Sequence, residues 1–249
     1  MLRVFFNSLF LQAAWNFDRM QNLGFAASIA PALKKIYREG FASALKRHTE
    51  FFNTHPYMAA PILGAVVRLE EEVKDGRRDA STISSFKKAT MGPYGAIGDN
   101  LFWGSIKPFA AMVGVMIALT GSLWAPIVFL IIFNIPHLWM RVYGLSMGYR
   151  LGEEVVGYIK ALDLPWWGRR VRDLTLIMVG TFLALYWWRM GNLIGFDSAN
   201  LPVAFVLIVI VMWIAWLLRH GFSASLTIYL VCALLLLFNT GYWLLTTGS

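Results

Sequence analysis

The chain has one cysteine, Cys232, in 249 residues, and it lies inside an apolar run. A lone cysteine excludes an intrachain disulfide framework, and Cys232 reads as a packing residue. Histidine is nearly as scarce, with His48, His55, His137 and His220 spread along the chain. That spacing offers no metal-ligand set, and neither an HExxH helix nor a CxxC pair is present. No Gly-Lys-Ser or Gly-Lys-Thr loop exists to cradle a nucleotide, and no serine sits in a GxSxG elbow. Nothing in the chain calls for a cofactor or a metal, and no residue reads as catalytic. Charge is sparse too. Only 14% of residues are charged, against roughly a quarter in soluble domains, a deficit incompatible with a surface facing water on all sides.

What charge there is has a sign. Lys and Arg number 22 against 14 Asp and Glu, giving +8. A nucleic-acid binder would gather this excess on a soluble domain, whereas a membrane protein gathers it in short cytoplasmic loops. The uncharged runs decide for the membrane and against nucleic acid. Hydrophobic residues make up 58% of the chain and aromatics 15%. Basic residues interleaved with aromatics near the apolar runs point to anionic lipid headgroups. The expected fold is all-α: a polytopic integral membrane protein with amphipathic and broken or re-entrant helices.

The texture changes near residue 107. Through Lys107 lie 14 of the 22 basic and 9 of the 14 acidic residues. This divides the chain into an N-terminal part, 1–107, with polar motifs and a cytoplasmic loop, and a transmembrane part, 108–249, within one integrated membrane domain. Pro108 to Met140 carries no Lys, Arg, Asp or Glu, yet is broken by Gly121, Pro126 and Pro136. It is too long for one straight span of about 20 residues and reads as a hairpin. Further spans are expected at 174–196, 201–218 and 222–247. Two basic clusters orient the chain by facing the cytoplasm: Lys74, Arg77, Arg78, Lys87 and Lys88, then Arg141, Arg150, Lys160, Arg169, Arg170 and Arg172. The hairpin returns the chain to its starting side and the C-terminus ends outside. The first residues, MLRVFFNSLFLQAAWNF, read as an amphipathic segment retained in the mature chain.

Polar islands mark the candidate functional residues. In HTEFFNTHP, Asn53, Thr54 and His55 supply donors and acceptors suited to a polyol such as a sugar. Equally, Asn53 and Thr54 suit the N-cap of a helix after Pro56. In MGPYGAIGDN, closely spaced glycines permit a tight backbone or close approach by another group, and Asp99 stands at the membrane edge, where an ionisable group points to function. A salt bridge or a helix cap is its plainer role. Glu70, Glu71 and Glu72 open a charged stretch through Arg77 and Arg78 that alone reads as a solvated cytoplasmic loop. Pro136, His137 and Arg141 form a weaker fourth candidate.

These islands resemble a known family. The stretches NFDRMQNLGF (16–25), HTEFFNTHP (48–56), RLEEE (68–72), MGPYGAIGDNLFWGSIKP (91–108) and GYRLG (148–152) are similar to the enzyme IID component of the mannose/fructose/sorbose branch of the sugar phosphotransferase system. Together FFNTHP and the Gly-Pro-to-Gly-Asp stretch are quite specific. The family more usually has leucine near Tyr94, glycine near Ala96 and serine near Asn100, departures that bear on the sugar more than on the family.

The resemblance implies a membrane subunit of the bacterial cytoplasmic (inner) membrane that works with a IIC membrane subunit to translocate a hexose. It further implies a hetero-oligomer, a trimer of heterodimers, and cytoplasmic IIA and IIB components that relay phosphate from a histidine phosphocarrier, a IIB histidine phosphorylating the sugar. Asn53, His55, Asp99 and Asn100 are the expected path or substrate residues. Glu70, Glu71, Glu72, Arg77 and Arg78 are the expected docking or gating residues. The main competing expectation is an accessory subunit without substrate contact. A lipid-acting enzyme, or a channel or receptor, are further alternatives.

Overall fold

A computed structural model describes residues 1–194 and ten positions between 209 and 223, with side chains through Tyr186 in the continuous part. The expected spans at 201–218 and 222–247, and Cys232, lie largely or wholly outside the described residues. The chain forms two compact units, Met1–Leu183 and Ala184–Ser249. All five motif stretches fall in the first unit.

The described residues of this unit are helical, with only isolated bridges joining Asn16, Met20 and Phe52. In chain order the α-helices are α1 (Leu2–Ser8), α2 (Asn22–Ile36), α3 (Phe41–Lys46), α4 (Ala59–Lys74), α5 (Ser81–Gly98), α6 (Lys107–Ala118), α7 (Ala125–Leu151), α8 (Val155–Ala161) and α9 (Leu164–Ile194). A π-helical segment, Asp99–Ile106, joins α5 to α6, and one-turn 3-10 segments lie at Arg47–Thr49 and Gly152–Glu154. The uncharged stretch 108–140 is thus two helices separated by a turn, with Gly121 at positive φ.

Helix α4 is the centre of the unit. Every residue from Ala59 to Val67 is buried, so the FFNTHP motif leads straight into the core. Pro61 sits in the first turn, where a missing N–H costs nothing. α7 crosses α4 at small residues on both sides. A Cβ on Gly64 would strike the Leu145 carbonyl, and one on Gly148 the Pro61 carbonyl. This backbone-to-backbone approach is the usual role of small residues where helices pack in membranes.

α2 packs beside α4 through Phe25, Ile29 and Leu33, spaced by four and fully buried. Each such side chain contributes about 2 kcal/mol of burial. The helix runs through Pro31 without ending, and Lys34 and Lys35 in its last turn complement the helix dipole.

Helical stretches within Ser81–Ala118 and Ala125–Tyr186 are long and apolar enough to cross a membrane. Their outward faces carry Leu130, Ile131, Ile135, Leu174, Ile177 and Leu183, all exposed. Such an apolar surface requires lipid or a partner.

Three expectations are corrected. RLEEE is not a solvated loop but the last two turns of α4. The glycine-rich island lies within α5, which carries Gly92, Pro93, Gly95 and Gly98. Lys87 belongs to no basic loop: it is 1% exposed, its Nζ lies 5.1 Å from the centre of the Phe25 ring and it donates to the Arg47 carbonyl. Arg141 is likewise buried within α7, donating from Nη1 to the Ser8 carbonyl at 2.9 Å. Two of the charges used to orient the chain therefore serve internal packing.

Candidate functional site

The residues Phe51 to Pro56 precede α4 in an irregular conformation, and the first motif holds them there. Gln21 donates through Nε2 to the Thr54 carbonyl (2.8 Å) and accepts at Oε1 from the Thr54 N–H (3.2 Å). The Gln21 N–H bonds the Phe52 carbonyl, and the Asn22 amide donates to the Thr49 carbonyl. Asn16 in turn donates to the Asn22 side chain at 2.9 Å. These buried backbone groups lack helix or sheet partners, so side-chain amides take that role.

The expected capping role does not occur: α4 starts after Met58 with no side-chain cap. Instead the His55 carbonyl accepts from the N–H groups of Met58 and Ala59. The Tyr57 N–H points at His55 Nδ1 at 3.3 Å, which assigns the ring proton to Nε2. Nε2 is buried without a hydrogen-bond partner among the described residues.

His55 is then driven against the glycine motif. Its ring stacks on Phe102, with centroids 5.2 Å apart and planes at 19°, and meets Trp103 edge-on at 4.7 Å. Gly98 makes this possible, because a Cβ there would overlap the imidazole, while Gly95 passes Thr54 at ordinary contact distance. The π-helical turn from Asp99 to Ile106 delivers Phe102 and Trp103 to this place; such bulges often occur at functional sites.

A second layer lies behind. Tyr57 stacks on His137 at 4.3 Å, and the Arg141 guanidinium lies 5.0 Å from the centre of the Tyr57 ring. His137 Nε2 pairs with Asn134 Oδ1 at 2.7 Å. The sequence marks His137 and Arg141 only as a weaker pair and singles out none of Tyr57, Phe102 and Trp103. The spacing of four between His137 and Arg141 placed them on one helix face, but nothing in the sequence paired that face with Tyr57.

The expected path residues divide. His55 is 2% exposed, whereas Asn53, Asp99 and Asn100 are exposed. Asn100 accepts from Arg172 Nη1 at 2.7 Å, and the same nitrogen donates to Ser105 Oγ at 3.3 Å. The two motifs meet through His55, and Asp99 and Asn100 lie on the segment it packs against.

The expected docking residues divide as well. Glu70 is fully buried, so its carboxylate presents nothing to an outside partner. It accepts from Arg47 Nε (2.8 Å) and Nη2 (3.0 Å), from Tyr37 Oη (2.9 Å) and from His48 Nε2 (2.7 Å). Burial raises the Glu70 pKa, but these bonds outweigh it and hold the carboxyl below its ordinary range. Burial also pushes the His48 pKa down, more than Glu70 pulls it up. His48 is therefore a neutral donor to Glu70, and Arg47 supplies the countercharge. Burial, then the adjacent carboxylate, pushes the Tyr37 hydroxyl up to about 12.

Glu71, Glu72, Arg77 and Arg78 lie at the surface end of α4. Glu72 pairs with Arg68 (3.0 Å) and Arg78 (2.8 Å), and Arg78 reaches Glu153. Tyr149 donates to Glu71 at 3.0 Å. The five motif stretches thus interlock: 16–25 holds 48–56, which packs on 91–108 and pairs with 68–72, which bonds 148–152. Among the described residues no His, Cys, Asp and Glu cluster could hold a metal.

An all-helical membrane protein built around these interlocked motifs defines the class. Residues 1–244 match the family described as the PTS system mannose/fructose/sorbose family IID component, and the chain belongs to that family. It is 32% identical to the fructose permease IID component of Bacillus subtilis, over 96% of this chain and 93% of that protein. It is 44% identical to the mannose-specific EIID component of Escherichia coli K12, over 61% of this chain. That match spans only 56% of the E. coli protein, about half its length. Among solved structures, it resembles a chain of the mannose transporter ManYZ in complex with microcin E492, with a TM-score of 0.59 at 30% identity, over 97% of this chain and 94% of that one. A second, described as a membrane protein, gives a TM-score of 0.70 at 31% identity over 96% of this chain and 94% of that one.

Proposed function

We propose that this chain is the IID subunit of a phosphotransferase-system permease that, with a IIC partner, translocates a hexose of the mannose or fructose type. The sugar is phosphorylated by a IIB component supplied through IIA. The observation that carries this reading is family membership over residues 1–244, supported by likeness to a chain of a mannose transporter complex. On this reading the chain is a multi-pass protein of the bacterial cytoplasmic membrane, with 1–107 carrying the motifs, the hairpin at 108–140, and spans at 174–196, 201–218 and 222–247. It assembles as a hetero-oligomer, a trimer of heterodimers.

The chain supplies no phosphoryl-transfer residue in this scheme. Asn53, Asp99 and Asn100 offer polar atoms at the translocation path, and His55 backs the segment that carries the last two. Glu71, Glu72, Arg77 and Arg78 form a docking face, and buried Glu70 fixes the α4 end behind it. The orientation rests on the exposed basic residues at 74–78 and 150–172, which favour the cytoplasm.

The test is uptake of labelled hexoses in a strain lacking its own mannose-type membrane subunits, with IIA, IIB, IIC and the phosphocarrier present. Accumulation of sugar phosphate that depends on this chain supports the reading. A correctly assembled complex that moves no hexose overturns the substrate class. Unchanged sugar affinity after substitution of His55 and Asp99 in a stable complex favours an accessory subunit instead.

A further inference from the structure

Helix α9 opens with Leu-Pro-Trp-Trp-Gly-Arg-Arg-Val-Arg-Asp, ahead of an apolar run starting at Leu174. Asp163, at positive φ, precedes it and accepts at Oδ1 from the Trp166 N–H at 3.3 Å. Three arginines follow within the first turns of this helix. They stand at its sixth, seventh and ninth positions, past the first turn to which the helix dipole reaches, so the dipole does not account for them.

Their surroundings give a reason. Trp166, Arg169, Arg170, Arg172 and Asp173 line an open cavity of 290 Å³, with three cations against one carboxylate. Among the described residues Asp173 pairs with Arg170 alone, at a loose 3.9 Å between largely exposed side chains, and such a pair is worth little. Arg169 is exposed and makes no ion pair within the described residues. The Arg170 guanidinium is held over the Trp166 ring at 5.3 Å, and Arg172 is anchored on Asn100 at 2.7 Å. The fork of a guanidinium matches phosphate geometry.

A second concavity lies on the same turns of α9. Leu164, Trp167 and Val171, with Leu101, Pro136 and Trp139 opposite, line an almost wholly apolar groove of 360 Å³. Consecutive tryptophans line the two hollows. Trp166 belongs to the basic cavity and Trp167 to the apolar groove, and their rings touch edge-on at 4.8 Å. An arginine-lined cup for an anion therefore adjoins a slot for a hydrocarbon chain at the level where the apolar helix begins. Tryptophan prefers that level, and basic pockets beside membrane helices bind phosphate headgroups.

We propose that the start of α9 is a binding site for an anionic phospholipid, its phosphate taken by Arg169 and Arg170 beside Trp166 and one acyl chain lying in the groove of Leu164, Trp167 and Val171. Because Arg172 of the same cup bonds Asn100, an occupied site steadies the segment that packs on His55. Lipid binding here does not rest on the sugar reading: it stands even if no hexose moves, and hexose transport stands even if no lipid binds here.

The test is native mass spectrometry of the full chain, co-purified with its IIC partner, titrated with phosphatidylglycerol, phosphatidylcholine of the same chains, or inorganic phosphate. Phosphatidylglycerol binds at least about tenfold more tightly than phosphatidylcholine, and Arg169→Ala/Arg170→Ala abolishes that preference. Arg169→Lys/Arg170→Lys retains part of it, which separates charge from misfolding. Trp167→Ala weakens both lipids alike. Equal binding of the two lipids, or an unchanged preference in the double alanine variant, overturns the proposal. Inorganic phosphate competing as well as the lipid also overturns it, by showing a site for free anion.

Discussion

The imidazole of His55 lies nearly parallel to the Phe102 ring, 5.2 Å between centroids, and this contact fastens the FFNTHP segment to the π-helical turn that carries Asp99 and Asn100. The contact exists because residue 98 has no side chain. Gly98→Ala forces a methyl into the imidazole, and overpacking of this kind costs about 1–3 kcal/mol. Gly92, in the same helix, faces open space, so Gly92→Ala meets no clash and, by removing the freedom of a helix-interior glycine, raises stability by about 0.5–1 kcal/mol. Thermal melting of the purified complex distinguishes them; equal melting temperatures would mean that the imidazole does not need the missing side chain.

Arg141 illustrates a buried cation used for architecture. Its guanidinium ties the end of α1 to α7 through the Ser8 carbonyl and covers Tyr57. Arg141→Ala is expected to cost about 1–3 kcal/mol and to loosen the N-terminal segment. Faster proteolysis within the N-terminal segment that includes α1 is the readout, and wild-type cleavage kinetics would contradict it.

The helical class is legible in the sequence because long uncharged apolar runs recur, and Gly121 marks the turn between α6 and α7. The motifs are legible as polar islands in apolar sequence. Their conformations are not. The glycines permit either a tight backbone or a close approach; Gly95 and Gly98 serve the second, on a helix face that another chain segment must approach, and glycine content alone does not separate these uses. Glu70 resembles its neighbours Glu71 and Glu72, yet helical periodicity turns it alone into the core. Lys87 and Arg141 read as loop charges because a single sequence does not show which carbonyls and rings will receive them.

The buried Glu70 cluster predicts an acid limit to stability. Folded His48 takes a proton less readily than the free imidazole at 6.5, so below about pH 6.5 the unfolded chain gains protons that the folded one refuses, and stability falls. The depressed Glu70 pKa adds a second loss as pH drops below the ordinary 4.5 towards its folded value. Both effects have the same sign. Glu70→Gln strands Arg47 and costs about 3 kcal/mol at neutral pH, and it removes the lower step. A melting temperature flat from about pH 7 to about pH 4 would refute the assignment.

The surface pairs of Glu72, Arg78 and Glu153 behave differently. Arg78→Ala is expected to lower stability by less than about 1 kcal/mol, because these groups are solvated. Its main effect is a weaker apparent affinity for IIB in sugar phosphorylation assays with purified components. An unchanged IIB dependence takes Arg78 out of the docking face.

The most direct test of the role given to His55 is transport by the His55→Gln variant in the strain lacking its own mannose-type membrane subunits, with complex assembly verified by co-purification. We predict labelled hexose uptake reduced by at least about tenfold in an intact complex, as the segment bearing Asp99 and Asn100 loses its support. Wild-type uptake and affinity in that intact complex would contradict this role and leave the chain a scaffold for its partner.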